Sequence, residues 1–171
     1  MADTGRRTTR VLHLAVVGSG VVGFLSSLVP WYRGTASVFG FSGSITVTAW
    51  DAGPSAWLAV VLLAAAGAVA LVGLLSPSRP VPAWYALAPA GLTTMAALCL
   101  VVRWASWSGT GEDAGSIEGF QFSGSFLGGL VEASAGPEFG FYLALVAEVV
   151  ALAASWMVAG KALAASPPDS D

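Results

Sequence analysis

The sequence predicts an all-α membrane protein: a four-transmembrane-helix bundle built as two parallel helix–loop–helix repeats, whose outer loops carry the makings of a small extracytoplasmic β-sheet. Three observations lead there. Charged residues make up only 10% of the chain and hydrophobic residues 56%, whereas soluble domains carry roughly 25% charge. The charge is cleared from four long windows rather than thinned evenly. The two loops on one side of those windows share a phrase.

Crossing ~30 Å of hydrocarbon takes about 20 apolar residues in a helix. The windows Val11 to Tyr32, Ala52 to Ser78, Pro80 to Val102 and Phe139 to Gly160 meet this. Lipid offers the backbone no hydrogen-bond partners, so the windows are expected to be helices, at about 11–31, 54–75, 82–103 and 138–161, within a membrane domain of 11–162. Pro54 and Pro137 each follow a glycine and suit a first helical turn. Ser76-Pro77-Ser78-Arg79-Pro80-Val81-Pro82 reads as a short stiff turn. Trp31, Tyr32, Trp57, Trp84, Tyr85, Trp104 and Trp107 fall near span ends, as an aromatic belt would. A cleaved signal peptide is the rival reading of the first window. The run is long for that role, and no Ala-x-Ala site follows it.

Arginine and lysine in short loops set orientation. Arg6, Arg7, Arg10, Arg79 and Lys161 lie on one side; Arg33 and Arg103 lie on the other. The basic N-terminus, 1–10, and a disordered tail, 163–171, are thus expected in the cytoplasm and the bundle in the plasma membrane. The outer loops, 32–53 and 104–137, carry Asp51, Glu112, Asp113, Glu118 and Glu132, with Glu138 just past the second, an acidic face.

The shared phrase is Phe39-Gly40-Phe41-Ser42-Gly43-Ser44 in the first outer loop and Phe120-Gln121-Phe122-Ser123-Gly124-Ser125 in the second. Each copy follows a tryptophan at a span end and precedes a Gly-Pro. A true repeat would relate the halves by an axis along the membrane normal; chance likeness between two Gly/Ser-rich loops is the alternative. Ser44 to Trp50 is β-branched and partly alternating, which favours a strand. Paired strands from both copies would bury the four phenylalanines on the helix ends; an irregular loop on the headgroups is the other possibility. Ser108 to Gly119 reads as mobile.

Glu148 is the sharpest feature. It stands near mid-depth of the fourth span, where an acid costs about 2.5–3.5 kcal/mol on insertion scales. Ala144, Ala151 and Ser155 share its stripe, so it is expected to face the bundle. Thr93 and Thr94, at similar depth in the third helix, are candidate hydrogen-bond partners. Glu148, Thr93, Thr94 and Ser155 together form a candidate intramembrane polar site. Its readings are structural, a subunit contact, or proton or cation binding. A second candidate is the small-residue stripe Ser19, Gly23 and Ser27, a helix-packing face or a site of self-association.

His13 is the lone histidine and Cys99 the lone cysteine, so neither a His-based metal site nor a disulfide within the chain is expected. Phosphate-binding, hydrolase and zinc-protease motifs are absent from the sequence. No catalytic group, metal or cofactor is expected, and a net charge of −3 gives no sign of nucleic acid. The expected partners are the lipid bilayer and other membrane subunits or a second copy. The expected role is a non-enzymatic accessory or scaffold protein in a larger membrane assembly, with a proton- or cation-coupled small transporter using Glu148 as the alternative.

Leu28-Val29-Pro30-Trp31-Tyr32, closing the first window, and Gly136-Pro137-Glu138-Phe139-Gly140-Phe141-Tyr142, opening the last, resemble a loose group of small actinobacterial four-helix membrane proteins. Thr46-Val47-Thr48 and the second window also look similar to a tryptophan-operon-associated membrane family. The layout is similar to claudin-like bundles too, without the paired cysteines of their first loop. The resemblance implies the four-helix fold and no activity, and it carries no functional residues over.

Overall fold

Four long apolar segments and a loop pair that must be satisfied outside them dictate the architecture. The computed structural model describes residues 2–38, 41–76, 83–108, 116–117, 120–121 and 131–164. In chain order the elements are α1 (Ala2–Ser26), β1 (Tyr32–Val38), β2 (Phe41–Val47), α2 (Pro54–Leu75), α3 (Ala83–Ser108), β3 (Ser116–Ile117), β4 (Phe120–Gln121), β5 (Val131–Pro137) and α4 (Phe139–Ala164). Four helical stretches, Arg7–Ser26, Pro54–Leu75, Tyr85–Ser106 and Phe139–Ala164, are long and apolar enough to cross a membrane. They form a ring: α1 packs on α2 and α4, and α3 packs on the same two.

α2 begins at Pro54 and ends at Leu75, as its window predicts, with proline in the first turn, where its missing N–H is harmless. The other ends depart from expectation. α1 takes in the basic N-terminal residues and stops at Ser26, not near Trp31. The Ser26 and Ser27 hydroxyls donate to the Gly23 and Phe24 carbonyls, both at 2.6 Å, and Pro30 has no N–H to continue the helix. Trp31 and Tyr32 are therefore extended, and the Trp31 N–H donates to the Val47 carbonyl at 2.8 Å. Pro137 does not open the last helix. It closes β5, and α4 starts two residues later. α3 runs on to Ser108 and holds Pro89 within it.

A three-stranded antiparallel sheet, in the order β2-β1-β5, joins the two loops. Tyr32 pairs with Val47 on one side and Pro137 on the other; Thr35 pairs with Ser44 and Ser134. The expected strand over Ser44–Trp50 lies instead at Phe41–Val47. Thr48 leaves the ladder to form a turn, its hydroxyl 2.7 Å from the Asp51 carboxylate. Leu163 and Ala164, expected in the tail, belong to α4; the side chains of the four phenylalanines, most of the second copy of the phrase, the Pro77–Pro82 turn, most of Ser108 to Gly119 and residues 165–171 lie outside the described residues.

The packing inverts that of a soluble bundle. Small residues fill the interior, among them Ala56, Ala59, Ala66, Ala70, Ala96, Ala144 and Ala151, while Val72, Leu98, Val101, Val146, Val149 and Met157 are exposed outside. The tightest approach pairs α1 with α2: a Cβ on Gly20 would lie 3.1 Å from the Gly67 Cα. Close backbone contact of this kind is how helices associate where hydrophobic burial offers little.

Candidate functional site

Glu148 lies nine residues into α4, about 14 Å along a helix rising 1.5 Å per residue. Helical spacing sets Phe141, Ala144, Glu148, Ala151 and Ser155 on one buried stripe, and Glu148 is 2% exposed. The pocket around it is lined by Gly23 of α1, Ala59, Val60 and Leu63 of α2, Leu100 of α3, Ala144 of α4, and Trp31. It is too narrow to admit a water molecule. Neither carboxyl oxygen of Glu148 has a hydrogen-bond partner among the described residues.

The roof of the pocket is a joint of aromatic rings. Trp31 is 0% exposed, and its indole N–H donates to the Ser26 carbonyl at 2.9 Å. Its ring meets Phe141 edge-on at 5.7 Å. Phe141 also contacts Tyr32 at 5.7 Å and Trp104 at 5.5 Å, so one side chain of α4 touches the start of β1 and the top of α3. α4 can enter this close because Gly140 has no side chain. Its N–H donates to the Pro30 carbonyl at 3.0 Å, and the Glu138 N–H donates to the Trp31 carbonyl at 2.7 Å. Outside the joint, Arg33 and Glu138 pair at 3.0 Å, both partly exposed; such a pair contributes roughly 0–1 kcal/mol.

The Arg103 guanidinium lies 5.0 Å from the centre of the Tyr32 ring. Burial raises the Tyr32 phenol above its ordinary value of 10.0, and Arg103 pulls it part of the way back. The folded protein thus holds this proton more tightly than the unfolded chain does. The contribution is whole below about pH 10 and is lost as pH rises through the higher folded-state value. Stability is expected to fall in that alkaline window, and Tyr32→Phe should flatten the fall. Denaturant midpoints of both proteins across alkaline pH check this.

The candidate polar site divides in two. Thr93 and Ser155 meet across the α3–α4 interface, hydroxyl to hydroxyl at 2.9 Å and both buried. The Thr93 hydroxyl also lies within hydrogen-bond distance of the Pro89 and Ala90 carbonyls. Thr94 donates to the Ala90 carbonyl at 2.7 Å and accepts the Trp156 indole N–H at 3.1 Å. The hydrogen bond expected from Glu148 to Thr93 or Thr94 is absent, because those hydroxyls are engaged with carbonyls of their own helix and with Ser155 and Trp156, about two turns along α4 from Glu148. The stripe Ser19, Gly23 and Ser27 is buried within the bundle. Gly23 faces the Leu63 side chain, and the Ser27 hydroxyl accepts the Trp50 indole N–H at 3.1 Å. The backbone contact itself falls at Gly20, one place off the stripe read from spacing four. The Trp31 roof was also missed: a tryptophan at a span end reads as belt, and only the proline before it marks the chain's turn inward.

His13 Nδ1 is 2.9 Å from the Thr9 carbonyl, and Cys99 is a free, partly buried thiol. Among the described residues no group of three or more His, Cys, Asp or Glu side chains converges on a point. An unpaired carboxylate sealed at the Glu148 position costs several kcal/mol, and a neutral acid still leaves polar atoms unsatisfied. Glu148→Met, which keeps the length and removes the polar atoms, is expected to stabilise the bundle by about 1–3 kcal/mol. Thermal unfolding in detergent measures it.

No protein-family model matches this chain, and no curated protein matches it.

Proposed function

We propose that the chain is a plasma-membrane protein, crossing four times with both termini in the cytoplasm, and that it serves as a non-enzymatic accessory or scaffold in a larger membrane assembly. Lipid as solvent is supported by the inverted packing: large aliphatic side chains outside, alanine and glycine within. The orientation is supported by the order of charges in the sequence, where Arg6, Arg7, Arg10, Arg79 and Lys161 all fall on the same side of the four apolar windows. The two halves are read as a repeat of helix, outer loop and helix, a reading supported by the phrase the loops share. The resemblance to small actinobacterial membrane proteins agrees with this layout.

The scaffold role rests on one observation above the others. The outer sheet is braced on the helices by the Trp31–Phe141 joint, and β2 is one of its two edges, with Ser42 to Thr46 exposed and no further strand paired to it among the described residues. Edges that stay unpaired are usually blunted by lysine, proline or a bulge. β2 carries neither residue, and such an edge accepts a strand from a partner. The test is purification in mild detergent alongside Ser44→Pro. A partner retained by the wild type and released by the variant, with the helices intact, is the expected result. A protein that always emerges alone refutes the role. Labelling Arg79→Cys, in a Cys99→Ser background, from the cytoplasmic side only tests the orientation.

A second reading, a proton- or cation-coupled small transporter, draws on the buried Glu148. It requires a flux in liposomes that Glu148→Gln abolishes.

A further inference from the structure

The buried acid of α4 has a property the scaffold role does not use. It is buried, has no hydrogen-bond partner among the described residues, and lies beneath the joint that holds the outer sheet. We propose that Glu148 is a proton-binding site whose ionisation loosens α4 from α1 and α2 and so releases the Trp31–Phe141 joint from the sheet.

The argument begins with what the pocket can hold. Hard divalent cations take six or more oxygen ligands. Here the walls are Gly23, Ala59, Val60, Leu63, Leu100, Ala144 and Trp31, and the two carboxyl oxygens are the only side-chain oxygens lining the pocket. A proton needs one such oxygen and no space. The ligand this geometry accepts is therefore a proton and not a hard divalent cation.

The next step is what happens when the proton leaves. The acid O–H bond breaks, the proton passes to water, and the electron pair stays on the carboxylate. No oxidant or co-reactant is involved. A carboxylate must then find charge or water, and the surrounding elements offer it neither. α1 presents Gly23, α2 presents Ala59, Val60 and Leu63, and α4 itself presents Ala144. α3 presents Leu100 beside the thiol of Cys99. Arg103 follows one turn above, with its guanidinium over the Tyr32 ring. No water fits while the helices stay packed. Hydration thus requires α4 to move.

That movement is connected to the sheet. Phe141 lies two turns above Glu148 on the same stripe and touches Trp31, Tyr32 and Trp104. The backbone of Gly140 and Glu138 is bonded to Pro30 and Trp31. A displacement of α4 at Glu148 loads these contacts at the root of β1.

The native cysteine supplies the readout. Cys99 is partly buried against the core cluster that contains Leu100, Trp31 and Phe141, so its alkylation reports opening of that core. Full-length protein in liposomes is taken from about pH 4 to about pH 9, a range that begins near the ordinary value of a glutamate side chain. Infrared difference spectra follow the carboxylic acid carbonyl band, and a membrane-permeant maleimide follows Cys99. The expected result is an acid band at low pH, missing from Glu148→Gln, that fades as pH rises. With the same midpoint, Cys99 alkylation should rise about tenfold above its rate in Glu148→Gln at equal pH, the effect of ~1.4 kcal/mol on an opening equilibrium. Dividing by the variant's rate at each pH removes the direct effect of pH on the labelling reaction. Two results overturn the proposal: a carboxylate at every pH, or an acid band that persists or fades with no change in Cys99 access. If Glu148→Gln does not fold, isotope-labelled glutamate assigns the band in the wild type and Glu148→Met supplies the reference rate.

Discussion

Trp31→Ala is expected to destabilise the protein by about 3–5 kcal/mol, the usual cost of removing a large aromatic side chain from a core. Trp31 is fully buried, and its loss acts three ways. It leaves a cavity above Glu148, it strips the edge-on contact from Phe141, and it leaves the Ser26 carbonyl without the indole donor. Aromatic contact of this geometry adds about 0.5–1.5 kcal/mol beyond burial. Trp31→Phe should recover part of the loss, because a ring remains while the donor does not. Urea or thermal unfolding in detergent, followed by circular dichroism, gives both numbers. A Trp31→Ala loss no larger than that of an exposed tryptophan such as Trp156→Ala would mean that the joint does not hold the bundle.

Gly140→Ala is the second large effect, though it adds only a methyl group. The new Cβ would lie 2.7 Å from the Pro30 carbonyl oxygen, 2.7 Å from Trp31 Cδ1 and 2.9 Å from Val29 Cγ2. The first of these is backbone, and the tryptophan is wedged by its own hydrogen bond, so neither yields easily. Overpacking of this sort costs about 1–3 kcal/mol, and prising α4 away also stretches the Gly140 N–H bond to Pro30. Gly160→Ala on the same helix is the control. Nothing lies within 4 Å of its added Cβ, so it should stabilise by about 0.5–1 kcal/mol through helix propensity. Opposite signs for one substitution at two places on α4 would separate the steric effect from any general preference of the helix.

The helices were legible because lipid-length apolar windows are long and nearly free of charge, and α2 even carries its own start signal in Pro54. The ends of α1 were not. Trp31 and Tyr32 continue the apolar run, so hydropathy counts them with the span. What removes them is the pair of serine hydroxyls on the Gly23 and Phe24 carbonyls and the strand partner Val47, which lies sixteen residues on in sequence. β5 had no signal of its own. Val131–Pro137 is rich in alanine and glycine and is a strand because β1 offers it a partner. Glu148 was legible as a buried acid from the small residues on its stripe. Its lack of a partner was not, since two threonines at similar depth look like donors until the side-chain hydrogen bonds of Ser155 and Trp156 are known.

The pairing of β1 with β5 sets a timetable. Residues 32–38 and 131–137 form one ladder, and the second strand leaves the ribosome about a hundred residues after the first. Until then β1 has only its hairpin partner β2, and the roof over the acid lacks Phe141. Contacts so distant in sequence form late and slowly. The three-stranded sheet is therefore completed only once the fourth helix has joined the bundle. On the proposed four-span topology, a molecule stalled with three helices inserted would carry a strand short of one partner and an unfilled aromatic seat.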